Sequence, residues 1–355
     1  MPSLDRVEAR RIAIIKPSAL GDIVHSLPVL SALRVRFPAA SITWVVNSAY
    51  ESLLTGHPDL TDTLPFNRGA LKGLRGAIST SISFAAELRR RRFDLVIDMQ
   101  GLFRTGLMAW ASGALRRVGF ANAREGSRYA YTHKVQSPAL DAAHAVDRMW
   151  CVAEAFGVGH LPKMFHVPVR EAEEEVAKRE LGSLPRPLIA VAVGAKWVTK
   201  RWPANHFAEL LRRAQSHFGG SVVFVGTSED SAASQEVLTQ LRGPALDLTG
   251  KTSLPRLSAV LSLSDVMLAN DTGPLHLAAA LGRPCVAPYL CTRVALHGPY
   301  TPASRCSETS VACAGSYLKK CDNMICMPEL TADRLWPKLA ETLDTWQQTH
   351  NSRSA

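Results

Sequence analysis

The sequence predicts an α/β protein built from two successive doubly wound domains, and three observations carry that reading. Short β-branched or apolar runs alternate with segments of helical periodicity along nearly the whole chain. At 355 residues the chain exceeds one typical core and suits two domains of about 150 to 170 residues each. The alternation also breaks once, over a proline-flanked stretch, and then restarts. The expected boundaries are a first domain over 1–165, a connector over 166–186 and a second domain over 187–355.

The first unit opens at Arg11 to Lys16, a β-branched run that ends in Pro17-Ser18-Ala19-Leu20-Gly21-Asp22. Ile23, Leu27, Leu30 and Leu33 then recur at helical spacing, which gives strand, loop, helix. The loop lacks Gly-x-Gly-x-x-Gly, so a dinucleotide fingerprint is absent. Asp22 sits at the start of a helix beyond a strand's carboxyl end, the rim where open α/β sheets bind ligands. A helix cap and a catalytic carboxylate both fit that position. Ser41 to Val46 is a second strand, and Asn67 to Arg75 is a polar, basic loop suited to a mobile lip. Phe93 to Asp98 is a third strand that delivers Met99-Gln100-Gly101-Leu102-Phe103-Arg104 to the same rim. Val118-Gly119-Phe120, followed by Ala123-Arg124-Glu125, repeats the pattern. His144 and Arg148 lie on a later helix. Arg104, Arg124 and Arg148 would form an anion site if the fold brings them together; singly, each reads as a surface arginine.

Pro162, Pro168, Pro185 and Pro187 bracket the charged Glu171 to Glu180 segment, a short helix between the domains. The second half starts with a strand over Leu188 to Val193, a polar loop over Gly194 to Arg201, and a helix opened by Trp202-Pro203. Lys200 precedes that helix, where its ammonium could reach a phosphate. Val222 to Val225 is the next strand, ending in Gly226-Thr227-Ser228-Glu229-Asp230. Asp247 to Gly250 leads into a helix through Leu254, Leu257 and Val260, and then a strand over Val266 to Leu268. The turn Asn270-Asp271-Thr272-Gly273-Pro274 joins it to another helix before the buried strand Cys285 to Leu290. Asp271 and Thr272 are cap types, Gly273 admits close approach, and Pro274 is tolerated in a first helical turn. Free N–H groups and the positive dipole end there suit a phosphate, though a plain cap has the same composition. Leu335, Leu339 and Leu343, at four-residue intervals, mark an amphipathic closing helix over Thr331 to Gln348.

Composition narrows the function. With 46% hydrophobic and 20% charged residues the chain is of the ordinary globular kind. No apolar run approaches the roughly 20 residues that span a bilayer, and Met1 to Arg11 lacks a signal core, so a cytoplasmic protein is expected. Residues 1–170 carry 22 Lys+Arg against 13 Asp+Glu, a surplus of nine out of the total of +10. The first half therefore faces something acidic: nucleic acid, an anionic membrane surface or a phosphorylated substrate. Seven cysteines without a secretion signal argue for reduced thiols. Cys306, Cys313, Cys321 and Cys326 cluster, but they contain no Cys-x-x-Cys pair, which favours burial or local redox pairing over zinc.

Taken together, these residues make the chain resemble glycosyltransferase family 9, and within it the first heptosyltransferases of the lipopolysaccharide inner core. The resemblance spans nearly the whole chain. It rests on Lys16 to His25 with Leu27-Pro28, Asp98 to Arg104, Ala123-Arg124-Glu125, Lys200-Arg201-Trp202-Pro203, Gly250 to Leu254, and Asp271-Thr272-Gly273-Pro274-Leu275-His276-Leu277. It implies a GT-B fold, two Rossmann-like domains facing a central cleft, that inverts the anomeric carbon while moving heptose from ADP-heptose to Kdo-lipid A. The work would be done at the cytoplasmic face of the inner membrane, with no cofactor, metal or nucleic acid. Asp22 would be the general base. Lys200, Asp271, Thr272 and Gly273 would hold the diphosphate, with His276 behind them, Glu229 or Asp230 at the ribose and Thr252 at the adenine. Ser18, Gly21, Gln100, Arg104, Arg124 and Arg148 would meet the acceptor. Physical chemistry accords with these roles: a departing diphosphate needs positive charge, and no Asp-x-Asp metal motif occurs anywhere in the chain. A lysine and a helix N-terminus can supply that charge. Leu290-Cys291-Thr292 departs from the family's usual Gly-Pro-Thr and leaves that loop's donor contacts open. Another family 9 transferase, with a different sugar nucleotide or acceptor, and a non-catalytic nucleotide-sugar binder are the rival readings.

Overall fold

The computed structural model describes residues 4–67 and 74–354. They divide into two compact units, Met1–Pro168 and Val169–Ala355, each built on one six-stranded sheet. The strands of the first are β1 (Arg11–Ile15), β2 (Ser41–Asn47), β3 (Asp62–Phe66), β4 (Leu95–Asp98), β5 (Arg116–Phe120) and β6 (His133–Val135), in the order β3-β2-β1-β4-β5-β6. The second holds β7 (Leu188–Ala192), β8 (Ser221–Phe224), β9 (Ala245–Asp247), β10 (Val266–Ala269), β11 (Cys285–Tyr289) and β12 (Arg305–Glu308), in the order β12-β11-β10-β7-β8-β9. Every pairing is parallel. These are the strand orders of Rossmann-like domains, so the predicted doubly wound architecture is present twice.

A parallel sheet covered by helices on both faces needs strands that are apolar throughout. Ile12, Ala13, Ile14 and Ile15 of β1 are accordingly all fully buried, as are Leu188 to Ala192 of β7 within 2%. In the first unit Ala13, Ile15, Val45 and Val96 pack with Leu88 and Phe93. In the second, the helix Ala204–Phe218 buries Phe207, Leu210, Leu211 and Ala214, one apolar stripe, against Ile189, Val191 and Phe224. The closing helix, Ala332–Ser354, brings Leu335, Leu339 and Leu343 onto the same core.

Four strands go beyond the sequence reading: β3, β6, β9 and β12, the outer strands of the two sheets. The basic loop expected over Asn67 to Arg75 lies outside the described residues at 68–73, and its last positions open the helix Leu74–Arg90 instead. The helix Glu171–Leu181 packs on the helix Leu254–Leu263, where Arg256 stands 2.6 Å from Glu180 and 3.9 Å from Glu173. It thus belongs to the second unit. Among the described residues no helix is long and apolar enough to cross a membrane.

Candidate active site

In a parallel sheet every loop after a strand emerges at one rim, and a crevice opens there where the strand order reverses. In the first unit that reversal lies between β1 and β4, and in the second between β7 and β10. The residues singled out in the sequence follow these four strands and their neighbours.

At the first reversal, Asp22 stands in the opening turn of the helix Leu20–Val24, its side chain exposed. Its Oδ2 accepts the Ala19 N–H at 3.0 Å, so it caps its own helix, and the residue lines the pocket beside it. The loop after β4 is shaped by Asp98, which is fully buried. Asp98 Oδ1 accepts from the N–H groups of Gln100 and Gly101 at 2.9 and 3.1 Å, and Oδ2 accepts from the Tyr131 hydroxyl at 2.7 Å. Burial pushes the Asp98 carboxyl above its ordinary value despite these bonds. The Lys16 ammonium, also buried, donates to Met99 O at 3.2 Å and ties the β1 loop to the β4 loop.

Two pockets flank Gln100. One, of about 160 Å³, is lined by Lys16, Asp22, His25, Gln100, Arg124 and Arg148 among others. The second, of about 250 Å³, is lined by Ser18, Asn47, Gln100, Arg104 and Glu125 among others. The three arginines are therefore not one cluster: Arg124 and Arg148 share a pocket, while Arg104 lies in the other. Arg148 is buried and donates to the Leu140 and Ala143 carbonyls, so part of its guanidinium builds the wall. Gly21 lines neither pocket but passes its carbonyl to His25 N–H within the Asp22 helix. The Gln100 Oε1 is buried without a partner among the described residues. A polar atom so placed is ready for a donor group on a ligand.

At the second reversal the Lys200 ammonium is 2.6 Å from Asp271 Oδ2. Thr292 Oγ1 donates to the same oxygen at 2.7 Å, and His276 Nε2 lies 3.2 Å from Oδ1. Burial alone would raise the Asp271 carboxyl, but the His276 hydrogen bond and the Lys200 charge hold it well below the ordinary range. Asn270, fully buried, accepts from Trp202 N–H at 3.0 Å and donates to Val193 O at 2.7 Å, which fixes the Lys200 loop against the turn. The Lys200 ammonium also lies 4.7 Å from the Trp197 ring centroid. Thr272 is the N-cap of the helix Gly273–Ala280 but makes no side-chain cap bond. Asp271 likewise turns its carboxylate to Lys200, His276 and Thr292 rather than to the helix. The first N–H groups of that helix therefore receive no side-chain cap from Thr272.

Asp230 caps its own turn, its Oδ2 accepting from Thr227 N–H and Oγ1 at 2.9 Å each. Gly194 and Gly226 make room for this carboxylate: a Cβ on either would come within 3 Å of it. Glu229 is exposed and makes no ion pair among the described residues, so of the two acids it is the one left for a ligand. Gly250, with φ +72°, packs on Ser228 and donates its N–H to Gly226 O at 3.0 Å, so the turn before Lys251 and Thr252 abuts the turn that carries Glu229.

Three residues of this site were not identified as such from sequence. Thr292 sat in the loop that departs from the family pattern, yet it holds Asp271. Asp98 and Tyr131 act through a contact between residues 33 positions apart, which no local spacing reveals. Cys291 next door is buried, and burial pushes its thiol up, the condition of an inert cysteine. All seven cysteines are free. Among the described residues no group of three or more His, Cys, Asp or Glu is placed to hold a metal ion.

Residues 81–325 match the model of glycosyltransferase family 9 (heptosyltransferase). The chain is 28% identical to lipopolysaccharide heptosyltransferase 1 of Pseudomonas aeruginosa, over 88% of this chain and 87% of that one. Among solved structures it is similar to a family 9 glycosyltransferase of Veillonella parvula, with a TM-score of 0.83, 24% identity and coverage of 94% and 97%. It is also similar to the ADP-heptose lps heptosyltransferase II of E. coli, with a TM-score of 0.77, 25% identity and coverage of 95% and 99%.

Proposed function

The chain belongs to glycosyltransferase family 9 and carries the GT-B pair of Rossmann-like domains, and from that premise we propose that it is an inverting heptosyltransferase of lipopolysaccharide core assembly. ADP-heptose is the donor and Kdo-lipid A the acceptor, at the cytoplasmic face of the inner membrane. The observation that carries this reading is the Lys200–Asp271–His276–Thr292 cluster beside a helix N-terminus that lacks a side-chain cap.

In this reading the second unit binds the sugar nucleotide. Lys200 has three N–H donors and spends one on Asp271, so two remain for the diphosphate. Together with the N–H groups at Thr272 and Gly273 they stabilise negative charge as ADP departs. Asp271 holds Lys200 in place, and His276 and Thr292 hold Asp271. Glu229 takes the ribose hydroxyls, and Thr252 lies against the adenine.

The first unit binds the acceptor. Ser18, Gln100 and Arg104 in one pocket, and Arg124 and Arg148 in the other, meet its carboxylates and phosphates. Asp22 takes the proton of the attacking hydroxyl, and the new bond forms on the face of the anomeric carbon opposite the leaving ADP. Its helix-capping bond to Ala19 orients the carboxylate for that transfer.

The test is incubation with ADP-heptose and Kdo-lipid A, following ADP release with and without acceptor. Release that depends on acceptor is the expected result. Release only with an acceptor already bearing heptose would place the chain with the second heptosyltransferases, the type of the E. coli structure above. ADP binding without release, whatever the acceptor, would make the chain a sugar-nucleotide binder.

A further inference from the structure

The helix Phe103–Ala111 has two unlike faces. Thr105, Gly106, Met108 and Ala109 are buried, and Gly106 seats the inner face: a Cβ there would stand 2.8 Å from Ser127 Cβ. Phe103, Leu107 and Trp110 are 61%, 48% and 62% exposed, and the spacing i, i+4, i+7 sets them in one outward stripe. Leu115, 85% exposed, follows four residues past the helix, and Tyr129, 75% exposed, stands on the abutting turn Ser127–Ala130. Large apolar side chains gathered on a surface mark a binding face.

The charges around the stripe indicate what binds there. Arg104 lies on the helix's exposed side, Arg128 sits 5.0 Å from the Tyr129 ring centroid, and Arg89 and Arg116 line a shallow hollow with Leu115. None of these four makes an ion pair among the described residues. The acids in the neighbourhood are Glu125, which accepts from Phe103 N–H, and Glu8 and Asp94 at the far hollow. A second copy docking by the same face would oppose arginine to arginine. An anionic surface would not.

We propose that this stripe seats the first unit on a bilayer of anionic phospholipid, with Phe103, Leu107 and Trp110 entering the headgroup–acyl boundary and the arginines meeting phosphates. Aromatic and leucine side chains flanked by cations are the composition of interfacial helices. The stripe begins at the site itself: Arg104 lines the same pocket as Ser18 and Gln100. Docking there presents a lipid-borne acceptor to the pocket mouth, and in that respect the inference rests on the acceptor reading above.

Co-sedimentation of the full chain with mixed phosphatidylglycerol–phosphatidylcholine vesicles tests docking without sugar nucleotide or acceptor present. The wild type should partition onto these vesicles and not onto phosphatidylcholine alone. The double substitution Leu107→Gln/Trp110→Gln should lower partitioning roughly tenfold. Arg128→Glu should lower it roughly fivefold or more, through the lost cation and the added repulsion. ADP affinity and the circular dichroism spectrum should be unchanged in both variants. Equal partitioning of the double variant, or equal binding to both vesicle types, would overturn the proposal. So would light scattering that shows a wild-type dimer dissolved by the double substitution, because a second copy would then cover the stripe. Vesicle binding without heptose transfer would instead sink the reaction proposed above and leave the docking surface standing.

Discussion

The Lys200 ammonium stands 2.6 Å from the Asp271 carboxylate, joining the loop after β7 to the turn after β10. The pair is less a surface salt bridge than a scaffold, since only 5% of the Asp271 side chain and 18% of that of Lys200 are exposed. Asp271→Asn leaves Lys200 without its counter-charge and should destabilise the chain by about 3 kcal/mol at neutral pH, the low end for a broken buried pair because Lys200 is partly solvated. A carboxyl depressed in the fold lends stability that is complete above its unfolded value of about 4 and is lost as pH falls towards the folded one. The gap between wild type and Asp271→Asn in urea unfolding should therefore narrow between neutral pH and about pH 3. A gap of constant size would assign the loss to packing instead.

Asp22→Asn keeps an oxygen to accept from Ala19 N–H but removes the proposed base. Turnover should fall by about 10²- to 10⁴-fold with ADP affinity unchanged. Asp22→Ala should add a stability loss of about 1 kcal/mol from the missing cap. Turnover retained in Asp22→Asn would exclude Asp22 as the proton acceptor.

Thr292→Val deletes the hydroxyl that donates to Asp271 and keeps the side chain's shape. Stability should drop by about 1 to 2 kcal/mol. Calorimetry should show ADP affinity weakened about fivefold, since Lys200 is then less firmly aimed. Unchanged affinity would make Thr292 a packing residue.

Tyr131→Phe removes the hydroxyl from Asp98 and loosens the loop that carries Gln100. KM for the acceptor should rise about tenfold while KM for the donor stays constant, and stability should fall by about 1 to 2 kcal/mol. Equal changes in both KM values would point to a general loss of structure.

Leu339→Ala opens a cavity between the closing helix and the second sheet, where Leu339 is fully buried. Thermal unfolding should register a loss of about 2 to 5 kcal/mol.

What was legible in the sequence follows from burial. The central strands β1, β2, β4, β7, β8, β10 and β11 are covered on both faces and read as continuous apolar runs. The four strands that escaped, β3, β6, β9 and β12, are the sheet edges, with exposed or half-buried positions such as Asp62, Lys134 and Arg305. The candidate site was legible where a polar residue follows a strand within two positions, as at Gln100 and Asp271. It was not where a side chain reaches across the rim, as Tyr131 does to Asp98 and Thr292 to Asp271, because such pairs are set by strand order and not by spacing. Nor does composition show that Gln100 divides Arg104 from Arg124 and Arg148.

The break between the units falls at Pro168–Val169, and no strand of either sheet is interrupted by it. Under the proposed function, the loops that meet acceptor and those that meet donor are thus carried on separate blocks of chain. On that reading, recombination at that junction between family members would exchange one substrate preference while leaving the other with its parent.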